Sequence, residues 1–371
     1  MKILHINRNY VDTLLHQLMV EQLERIGYAN DVFVPRLYNE KAKIIPNSNV
    51  SVCECFANWH KFFFFYKQRR IFRAAQSTCD FDGYDLIHAY TLFTDGNCAR
   101  MISKKHGIPY VVAVRNTDVN DFFRLMPHLR RRGIRIMLDA KAIFFLSEPY
   151  RKQVFEKYIP KKYHAVLMKK SHIIPNGIDD FWFENLPEQE NRVGDPIKLI
   201  YAGRIDRNKN IHTTQKAMEL LRGRGYHLTL TVVGRVEEQK IYDKIKEDPY
   251  TECLTPHPKE TLLGLYRRHN LFVMPSFTES FGLVYAEAMS QGLPVIYSQG
   301  QGFDNQFPEG FVGYRVDAHN AEALADAIER VVQNFSNIAP NTVAAAKKFN
   351  WNEISARYDR IYKTILGEDG E

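Results

Sequence analysis

The stretch IKLIYAGRIDRNK, residues 197–209, decides the fold class. Its opening run is mostly apolar, as in a strand buried on both faces of a parallel sheet, and Gly203 ends the run before a group of charged side chains. Similar runs follow, separated by longer amphipathic segments. They are LTLTVVG (228–234), NLFVMP (270–275) and PVIYS (294–298). This alternation predicts parallel strands joined by crossover helices.

The first half of the chain repeats the alternation. Its apolar runs are KILHI (2–6), DVFVP (31–35), DLIHAY (85–90), YVVAV (110–114), AIFFLS (142–147) and HIIP (172–175). A chain of 371 residues can form two domains that each bury a core. We therefore predict an α/β fold with two Rossmann-like domains, residues 1–183 and 196–350. The polar segment 184–195 is the predicted linker, and residues 351–371 are predicted to contain a terminal helix.

Charge is distributed unevenly along the chain. Residues 1–180 carry 28 Lys and Arg against 17 Asp and Glu, whereas the whole chain has a net charge of +7. The first half is therefore expected to face an anionic partner: a lipid headgroup, an acidic glycan or, ranked last because no nucleic-acid motif is present, a nucleic acid. The N-terminal residues lack an apolar signal-peptide core, and the five cysteines lack paired spacing, so we expect a cytoplasmic protein.

The stretch TESFGLVYAEAMSQG, residues 278–292, places two carboxylates beside a helix start. Glu279 is predicted on the loop after a strand, and Glu287 inside the helix that opens near Gly282. The backbone N–H groups of Phe281, Gly282 and Leu283 would be free at that helix start, which favours an anionic or hydroxyl-rich group. The two carboxylates could thus contact different parts of one elongated ligand.

A second group of residues follows the strand at 197–203. Gly203 permits close approach of a ligand, and Arg204 and Lys209 supply two cations that suit a diphosphate. They could stabilise a departing pyrophosphate without a metal ion, and the sequence has no Asp or His cluster of the kind that magnesium or zinc requires. We therefore predict no metal and no cofactor. Gly234 ends the next strand at the same edge and is counted among the donor-contacting residues.

These motifs together resemble the retaining glycosyltransferases of family 4, which have the GT-B fold. The resemblance rests on Glu279 and Glu287 with seven residues between them, on Gly203-Arg204 with Lys209, and on IPNGID at 174–179. It covers essentially the full chain. It implies two domains facing across a cleft, a C-terminal helix that crosses back to the first domain, and a nucleotide-sugar co-substrate.

The resemblance also implies roles for individual residues. The residue matching Glu287 accepts hydrogen bonds from the donor ribose, and the residue matching Glu279 contacts the donor sugar. Attack would occur on the front face, with the leaving phosphate as the base. The predicted catalytic residues are Glu279, Arg204, Lys209 and Arg115. The predicted donor-binding residues are Glu287, Gly203, Phe281, Gly282, Leu283, Gly234 and Asp118.

The chain departs from the family pattern at three points. Asn7-Arg8-Asn9-Tyr10 replaces a Gly-Gly turn after the first strand, Arg115 stands where many relatives have His, and Asn210 replaces Gly after Lys209. We expect Arg115 and Asp118 to line the cleft, with Arg115 near the diphosphate or an acidic acceptor.

The segment HKFFFFYKQRRIFR, residues 60–73, has two interpretations. It is either a buried element with a basic rim or an interfacial anchor for an anionic membrane, and the basic run 128–135 slightly favours the anchor. The function predicted from the sequence is transfer of a sugar from a nucleotide donor, with UDP as the preferred nucleotide, to a glycan or lipid-linked acceptor in cell-surface polysaccharide synthesis. A nucleotide-sugar epimerase and an inactive nucleotide-sugar-binding protein are the alternatives.

Overall fold

A computed structural model describes residues 1–40, 49–188 and 192–367. Its internal contacts divide the chain into two compact units. The first unit contains Met1–Leu146, Tyr150–Gly177 and the segment from Trp351 onward. The second contains Ser147–Pro149 and Ile178–Asn350. Each unit has a parallel sheet covered by helices, as the alternation of apolar and amphipathic segments predicts.

The first unit is built on a seven-stranded sheet with the order β3-β2-β1-β4-β5-β6-β7. All neighbouring strands in this sheet are parallel. The strands are β1 (Lys2–Ile6), β2 (Ala29–Leu37), β3 (Val50–Phe56), β4 (Leu86–Ala89), β5 (Tyr110–Val114), β6 (Ala142–Phe145) and β7 (Ser171–Ile173). The central strands β4, β5 and β6 are buried along their whole length, which explains their continuous apolar runs.

Helices connect these strands. They are α1 (Leu14–Arg25), α2 (Phe64–Thr78), α3 (Asp95–His106), α4 (Arg130–Asp139), α5 (Glu148–Tyr158) and α6 (His164–Lys169). Thr13 caps α1 by accepting a hydrogen bond from the backbone N–H of Leu15. The basic run 128–135 lies largely in α4, where Arg130 and Arg132 donate internal hydrogen bonds.

The second unit has a six-stranded parallel sheet with the order β10-β9-β8-β11-β12-β13. Its strands are β8 (Ile197–Ala202), β9 (Leu228–Val233), β10 (Thr251–Leu254), β11 (Leu271–Met274), β12 (Val295–Ser298) and β13 (Gly313–Val316). Its helices are α7 (Phe181–Glu184), α8 (Ile211–Gly223), α9 (Gln239–Lys246), α10 (Lys259–Arg267), α11 (Leu283–Ser290), α12 (Ala321–Gln333) and α13 (Phe335–Ala346). Strands β8 and β11 are neighbours, so the loops after them lie side by side at one edge of the sheet.

The last helix, α14 (Trp351–Leu366), packs within the first unit. The Tyr362 hydroxyl lies 2.6 Å from Nδ1 of His88 in β4, and Tyr28 donates a 2.7 Å hydrogen bond to Asp359. A side chain at Gly177 would collide with the Trp351 ring, so the glycine of the IPNGID motif is required by this packing.

The boundary between the two units and three edge strands differ from what the sequence patterns indicate. The second unit begins at Ile178, ahead of the predicted linker 184–195, of which residues 189–191 lie outside the described part. The predicted terminal segment 351–371 also extends beyond it, at residues 368–371. Three strands were not predicted, namely β3, β10 and β13.

Candidate active site

The loop that follows β8 presents Arg204 to solvent. The Arg204 side chain is 61% exposed, and its only ion pair in the described part of the chain is a long one, 3.8 Å to Asp206. Asp206 caps the next turn by accepting a 3.0 Å hydrogen bond from the backbone N–H of Lys209. The loop conformation is thus fixed by Asp206, while the Arg204 guanidinium remains able to reach a bound anion.

Gly203 and Gly234 lie where the loops after β8 and β9 cross. A Cβ atom on Gly234 would overlap the carbonyl oxygen of Gly203, so the two backbones can approach only because residue 234 has no side chain. Gly203 itself has φ +153°, a conformation that favours glycine. Backbone packing therefore requires a glycine at position 234, and its contact with the donor stays a prediction.

Two asparagines join the loops after β8 and β11. The Asn208 side chain donates to the Thr278 carbonyl at 2.8 Å and accepts from the Thr278 N–H at 3.0 Å. Asn210 has φ +57°, and its buried amide donates to the carbonyls of Pro275 (3.0 Å) and Ala318 (2.6 Å). Asparagine tolerates the left-handed conformation that the turn needs and adds two bridging hydrogen bonds that glycine cannot make.

Lys209 and Glu279 are brought together by these loops. Their Nζ and Oε2 atoms lie 2.6 Å apart, and each side chain is 12% exposed. The backbone N–H of Glu279 also donates to the side chain of Gln301 at 2.9 Å. A predicted sugar-binding carboxylate and a predicted phosphate-binding cation thus form one ion pair, in which each group positions the other.

Helix α11 begins beside this ion pair. Gly282 is its N-cap with φ +77°, and a Cβ there would meet the ring of Tyr285. In the part of the chain that the structure describes, the backbone N–H groups of Phe281, Gly282 and Leu283 have no hydrogen-bond acceptor. The Phe281 side chain is buried against Phe303, so this residue can offer only its backbone to a ligand.

Glu287 lies on α11 as a half-buried carboxylate. Burial raises its pKa to about 7, and the negative charge of Asp179 adds to the rise. Within the described residues no group donates a hydrogen bond to this carboxylate. The neighbouring Tyr266 hydroxyl is buried without a partner, and burial followed by the charge of Glu287 raises the Tyr266 pKa. Such a carboxylate can accept hydrogen bonds from ligand hydroxyls.

Sequence reasoning missed the surroundings of Glu287. Asp179, the last residue of the IPNGID motif, accepts a 2.7 Å hydrogen bond from Lys259. The Lys259 ammonium also lies 4.7 Å from the centre of the Phe181 ring. The IPNGID motif could have indicated that Asp179 lies near the site. Its partner Lys259 begins α10, about 80 residues further along the chain, and residue spacing does not predict this contact.

The remaining predicted residues lie in the first unit. Arg115 follows β5, and its side chain donates to the Tyr90 carbonyl and the Asn176 side chain, each at 3.3 Å. Asp118 is fully buried, and its oxygens accept backbone hydrogen bonds from Leu92, Phe93 and Arg115. Burial raises the Asp118 pKa to about 6, against the effect of these donors. Asp118 therefore organises the loop, and its contact with the donor stays a prediction.

Neither a metal cluster nor a membrane span was found in residues 1–40, 49–188 and 192–367. No group of three or more His, Cys, Asp or Glu is arranged there to hold a metal ion. No helix among these residues combines the length and the apolar character that crossing a membrane requires.

Two family models together match most of the chain. The model for Glycosyltransferase Family 4 matches residues 17–180, and the model for Glycosyl transferases group 1 matches residues 183–349. One relative is the D-inositol 3-phosphate glycosyltransferase of Arthrobacter sp. (strain FB24), 27% identical over 74% of this chain and 69% of that protein. Another is the capsular polysaccharide biosynthesis glycosyltransferase CapM of Staphylococcus aureus, 26% identical over 62% of this chain and 65% of that protein.

Solved structures share the fold. Sucrose-phosphate synthase from Thermosynechococcus elongatus matches with a TM-score of 0.76 and 20% identity over 100% of both chains. Anabaena Alr3699/HepE in complex with UDP-glucose matches with a TM-score of 0.68 and 17% identity, over 99% of this chain and 100% of that one. The protein is thus of the GT-B class of glycosyltransferases, which use nucleotide-sugar donors. Within that class, the chain belongs to the glycosyltransferases of family 4.

Proposed function

We propose that this protein is a retaining, metal-independent glycosyltransferase that takes a sugar from a UDP-linked donor. The proposal is carried by one observation, the half-buried Glu287 carboxylate that has no hydrogen-bond donor in the described part of the chain. A carboxylate left without donors is costly unless a ligand supplies them, and the paired hydroxyls of a ribose are suitable donors. UDP is favoured as the nucleotide because Alr3699/HepE, which shares the fold, binds UDP-glucose and UDP.

The other site residues have matching roles in this proposal. Arg204 and the free N–H groups at the start of α11 bind the diphosphate, while Lys209 and Glu279 hold its sugar end. The bond between the anomeric carbon and the phosphate oxygen breaks, and the acceptor hydroxyl oxygen bonds the same carbon on the same face. The acceptor proton passes to the leaving phosphate oxygen, so neither a metal ion nor a protein nucleophile is needed.

The test is calorimetric titration of the protein with UDP, GDP and ADP. We expect UDP to bind selectively and Glu287→Ala to weaken its binding by about tenfold or more, equivalent to ~1.4 kcal/mol. Glu219→Ala, which removes the same charge from an exposed position on α8, is the control and is expected to bind UDP normally. Unchanged binding by Glu287→Ala would refute the role of this carboxylate.

Product analysis distinguishes transfer from the alternatives. With an α-linked donor, NMR should find an α-linkage in the product, whereas an inverted linkage would overturn retention. Isomerised donor in the absence of any acceptor would indicate an epimerase, for which the comparisons give no support. Binding of nucleotide without transfer or donor hydrolysis would indicate an inactive binding protein.

We further propose that the acceptor is a glycan or a lipid-linked glycan in cell-surface polysaccharide synthesis, and that residues 60–73 contact the inner membrane face. The relative CapM is named for capsular polysaccharide biosynthesis. Large aromatic side chains around this segment are exposed, including Trp59 (55%), Phe62 (76%), Phe63 (59%) and Phe65 (55%). They argue against a wholly buried element, although the Lys61 side chain lies outside the described part.

Basic residues accompany these aromatic side chains. Arg69 and Arg73 are exposed and follow Phe65 at intervals of four residues, so the three lie on one face of α2. Aromatic rings can enter the headgroup region while the guanidinium groups contact anionic lipid.

Vesicle sedimentation tests the membrane contact. Replacing both Arg69 and Arg73 by Gln should weaken binding to vesicles with phosphatidylglycerol by roughly thirtyfold, because each basic residue near the surface contributes about 1 kcal/mol. Neutral phosphatidylcholine vesicles are the control. Equal binding of the wild type to neutral and anionic vesicles, or no binding to either, would overturn this part of the proposal.

A further inference from the structure

Two cations of the first unit share one aromatic ring. Arg8 lies two residues beyond β1, and Lys67 lies in α2. The Lys67 ammonium is 4.2 Å from the centre of the Phe56 ring, and the Arg8 guanidinium carbon is 5.4 Å from it. Phe56 is the buried last residue of β3, so this Arg8–Lys67 pair stands at the carboxyl edge of the sheet, where ligands of open parallel sheets bind.

Neither cation of the Arg8–Lys67 pair has a full set of partners. In the described part of the chain, no oxygen accepts a hydrogen bond from the Lys67 ammonium. The Nε atom of Arg8 is buried without an acceptor, and one terminal nitrogen lies 3.5 Å from Glu40. Glu40 also lies 3.4 Å from Arg36, whose guanidinium group has a second, shorter ion pair of 2.6 Å with Asp12.

The surrounding carboxylates offset this charge only in part. Burial and the charge of Arg8 lower the pKa of Lys67 to about 8. A further acid, Asp95, is buried and accepts a 2.9 Å hydrogen bond from the Thr91 hydroxyl. Burial raises the Asp95 pKa to about 7, so it is only partly ionised near neutral pH. A positive excess therefore persists in a place that is only partly open to water, and an anion would relieve it.

We propose that Arg8 and Lys67 form an acceptor subsite for a phosphate monoester. A dianion matches two cations that the surrounding carboxylates offset only in part, whereas a carboxylate carries one charge. The fixed fork of Arg8 can hold two phosphate oxygens, and Lys67 adds a point charge above the Phe56 ring. The assignment to the acceptor rests on the proposed transferase function. The phosphate-binding property of the pair can be measured without any donor.

The first test is titration with inorganic phosphate, followed by calorimetry and by the thermal midpoint. It is made in the Arg204→Gln background, which removes the exposed cation of the second unit. We expect Lys67→Met and Arg8→Gln each to weaken phosphate binding by tenfold or more. Lys105→Met and Arg360→Gln make the same changes at exposed positions of the first unit and should leave it unchanged. Equal weakening by these controls, or none by the two site variants, would overturn the proposal.

Stability without ligand provides a second readout. Because the Lys67 charge is partly desolvated and has no acceptor in the described part, Lys67→Met should raise the thermal midpoint in phosphate-free buffer and abolish its rise on adding phosphate. A structural lysine would instead lower the midpoint when replaced, and that result would overturn the proposal.

The source of the phosphate is distinguished by two further probes. A hexose 6-phosphate represents a small acceptor, and vesicles with phosphatidic acid represent a lipid phosphate. Binding of either that depends on both Arg8 and Lys67 supports the subsite and identifies the source. Loss of nucleotide binding, in contrast, would refute the proposed donor site while leaving this phosphate result intact.

Discussion

At the scale of single residues, the proposed ribose-binding role of Glu287 implies a carboxylate that is kept ready for its ligand at the expense of stability. Its carboxyl is half-buried, lies near the like charge of Asp179 and has a pKa of about 7. The ionised form is therefore held in an unfavourable setting until hydroxyl donors arrive. Ligand binding should lower this pKa and release a proton.

The pH dependence of nucleotide binding follows from that pKa. As the pH falls from 8 to 6, Glu287 gains a proton in the free protein and becomes a poorer acceptor, so nucleotide affinity should fall by up to about tenfold, the change expected for one pKa unit. Calorimetry at the two pH values measures it, with Glu287→Gln as the variant whose affinity should stay nearly constant. An affinity of the wild type that is independent of pH would contradict this assignment.

The same residue predicts a change in stability. The folded pKa lies above the ordinary glutamate value of 4.5, so the folded state holds more protons between about pH 4.5 and 7, and stability is lost as the pH rises through this window. Glu287→Gln should therefore raise the thermal midpoint at pH 8 and have little effect at pH 4.5. A lower midpoint at pH 8 would contradict the interpretation.

Residue identity alone could not distinguish ligand contacts from internal ones. The ion pair of Lys209 with Glu279 joins two residues that were predicted from their motifs. Gly234 and Asp118 also stand at strand ends, yet one is required by a backbone crossing and the other accepts backbone N–H groups. Both functions depend on where a second loop passes, which residue spacing does not encode.

At the scale of elements, the site depends on how the loops after β8 and β11 are joined. Asn210 is 7% exposed and bridges two carbonyls from a left-handed conformation, while Asn208 pairs with Thr278. These bonds hold Lys209 and Glu279 on separate loops within reach of each other. In the sequence, Asn210 is only a departure from the usual glycine, whereas in the structure its side chain holds loops together by hydrogen bonds.

Substitutions at Asn210 can separate its two contributions. Asn210→Gly keeps the backbone conformation and loses the bridges, so we expect a loss of about 1–3 kcal/mol from two unsatisfied carbonyls. Asn210→Ala should lose roughly 1–2 kcal/mol more because alanine disfavours the left-handed region. Thermal and denaturant unfolding of the two variants measures the difference. Full stability of the glycine variant would show that the bridges contribute nothing.

The strands absent from the sequence prediction are all edge strands. β3, β10 and β13 each pair on one side only. β3 is buried only at its last two residues, and β10 and β13 have four residues each, one of them charged. Continuous apolar runs mark strands buried on both faces, so the interior of each sheet was predictable and these edges were not.

At the scale of the whole molecule, the first unit has a polar interior near its carboxyl edge. His5 is fully buried and pairs with Asn30 at 2.8 Å and the Tyr90 hydroxyl at 3.1 Å. Burial lowers the His5 pKa to about 4, and it lowers the pKa of buried His88 as well. The folded state therefore requires neutral imidazoles in this region.

Acid should weaken the first unit for this reason. The unfolded chain binds a proton at His5 near pH 6.5 and the folded chain only near pH 4, so stability falls as the pH drops through that window. Asp95 and Asp118 have raised pKa values, so their contribution to stability increases as the pH drops and opposes that of His5. The effect of His5 is therefore measured as the difference in stability between the wild type and a His5 variant. The stability advantage of the wild type over His5→Gln should shrink from pH 7 to pH 5, as measured by thermal midpoints. A constant advantage would refute this.

The return of α14 to the first unit has a consequence for biosynthesis. Ile178 donates a 2.9 Å hydrogen bond to the Phe349 carbonyl, so the long segment of the second unit starts and stops at neighbouring points. A ribosome delivers all of that segment before it makes Trp351. All residues of the second unit are thus made before Tyr358 and Tyr362, without which the apolar surface that they cover in the first unit stays exposed. The first unit is thus expected to complete its fold last, although most of it is synthesised first. A polypeptide that ends at residue 350 would contain all residues of the second unit, and the exposed apolar surface of its first unit would make it a substrate for chaperones.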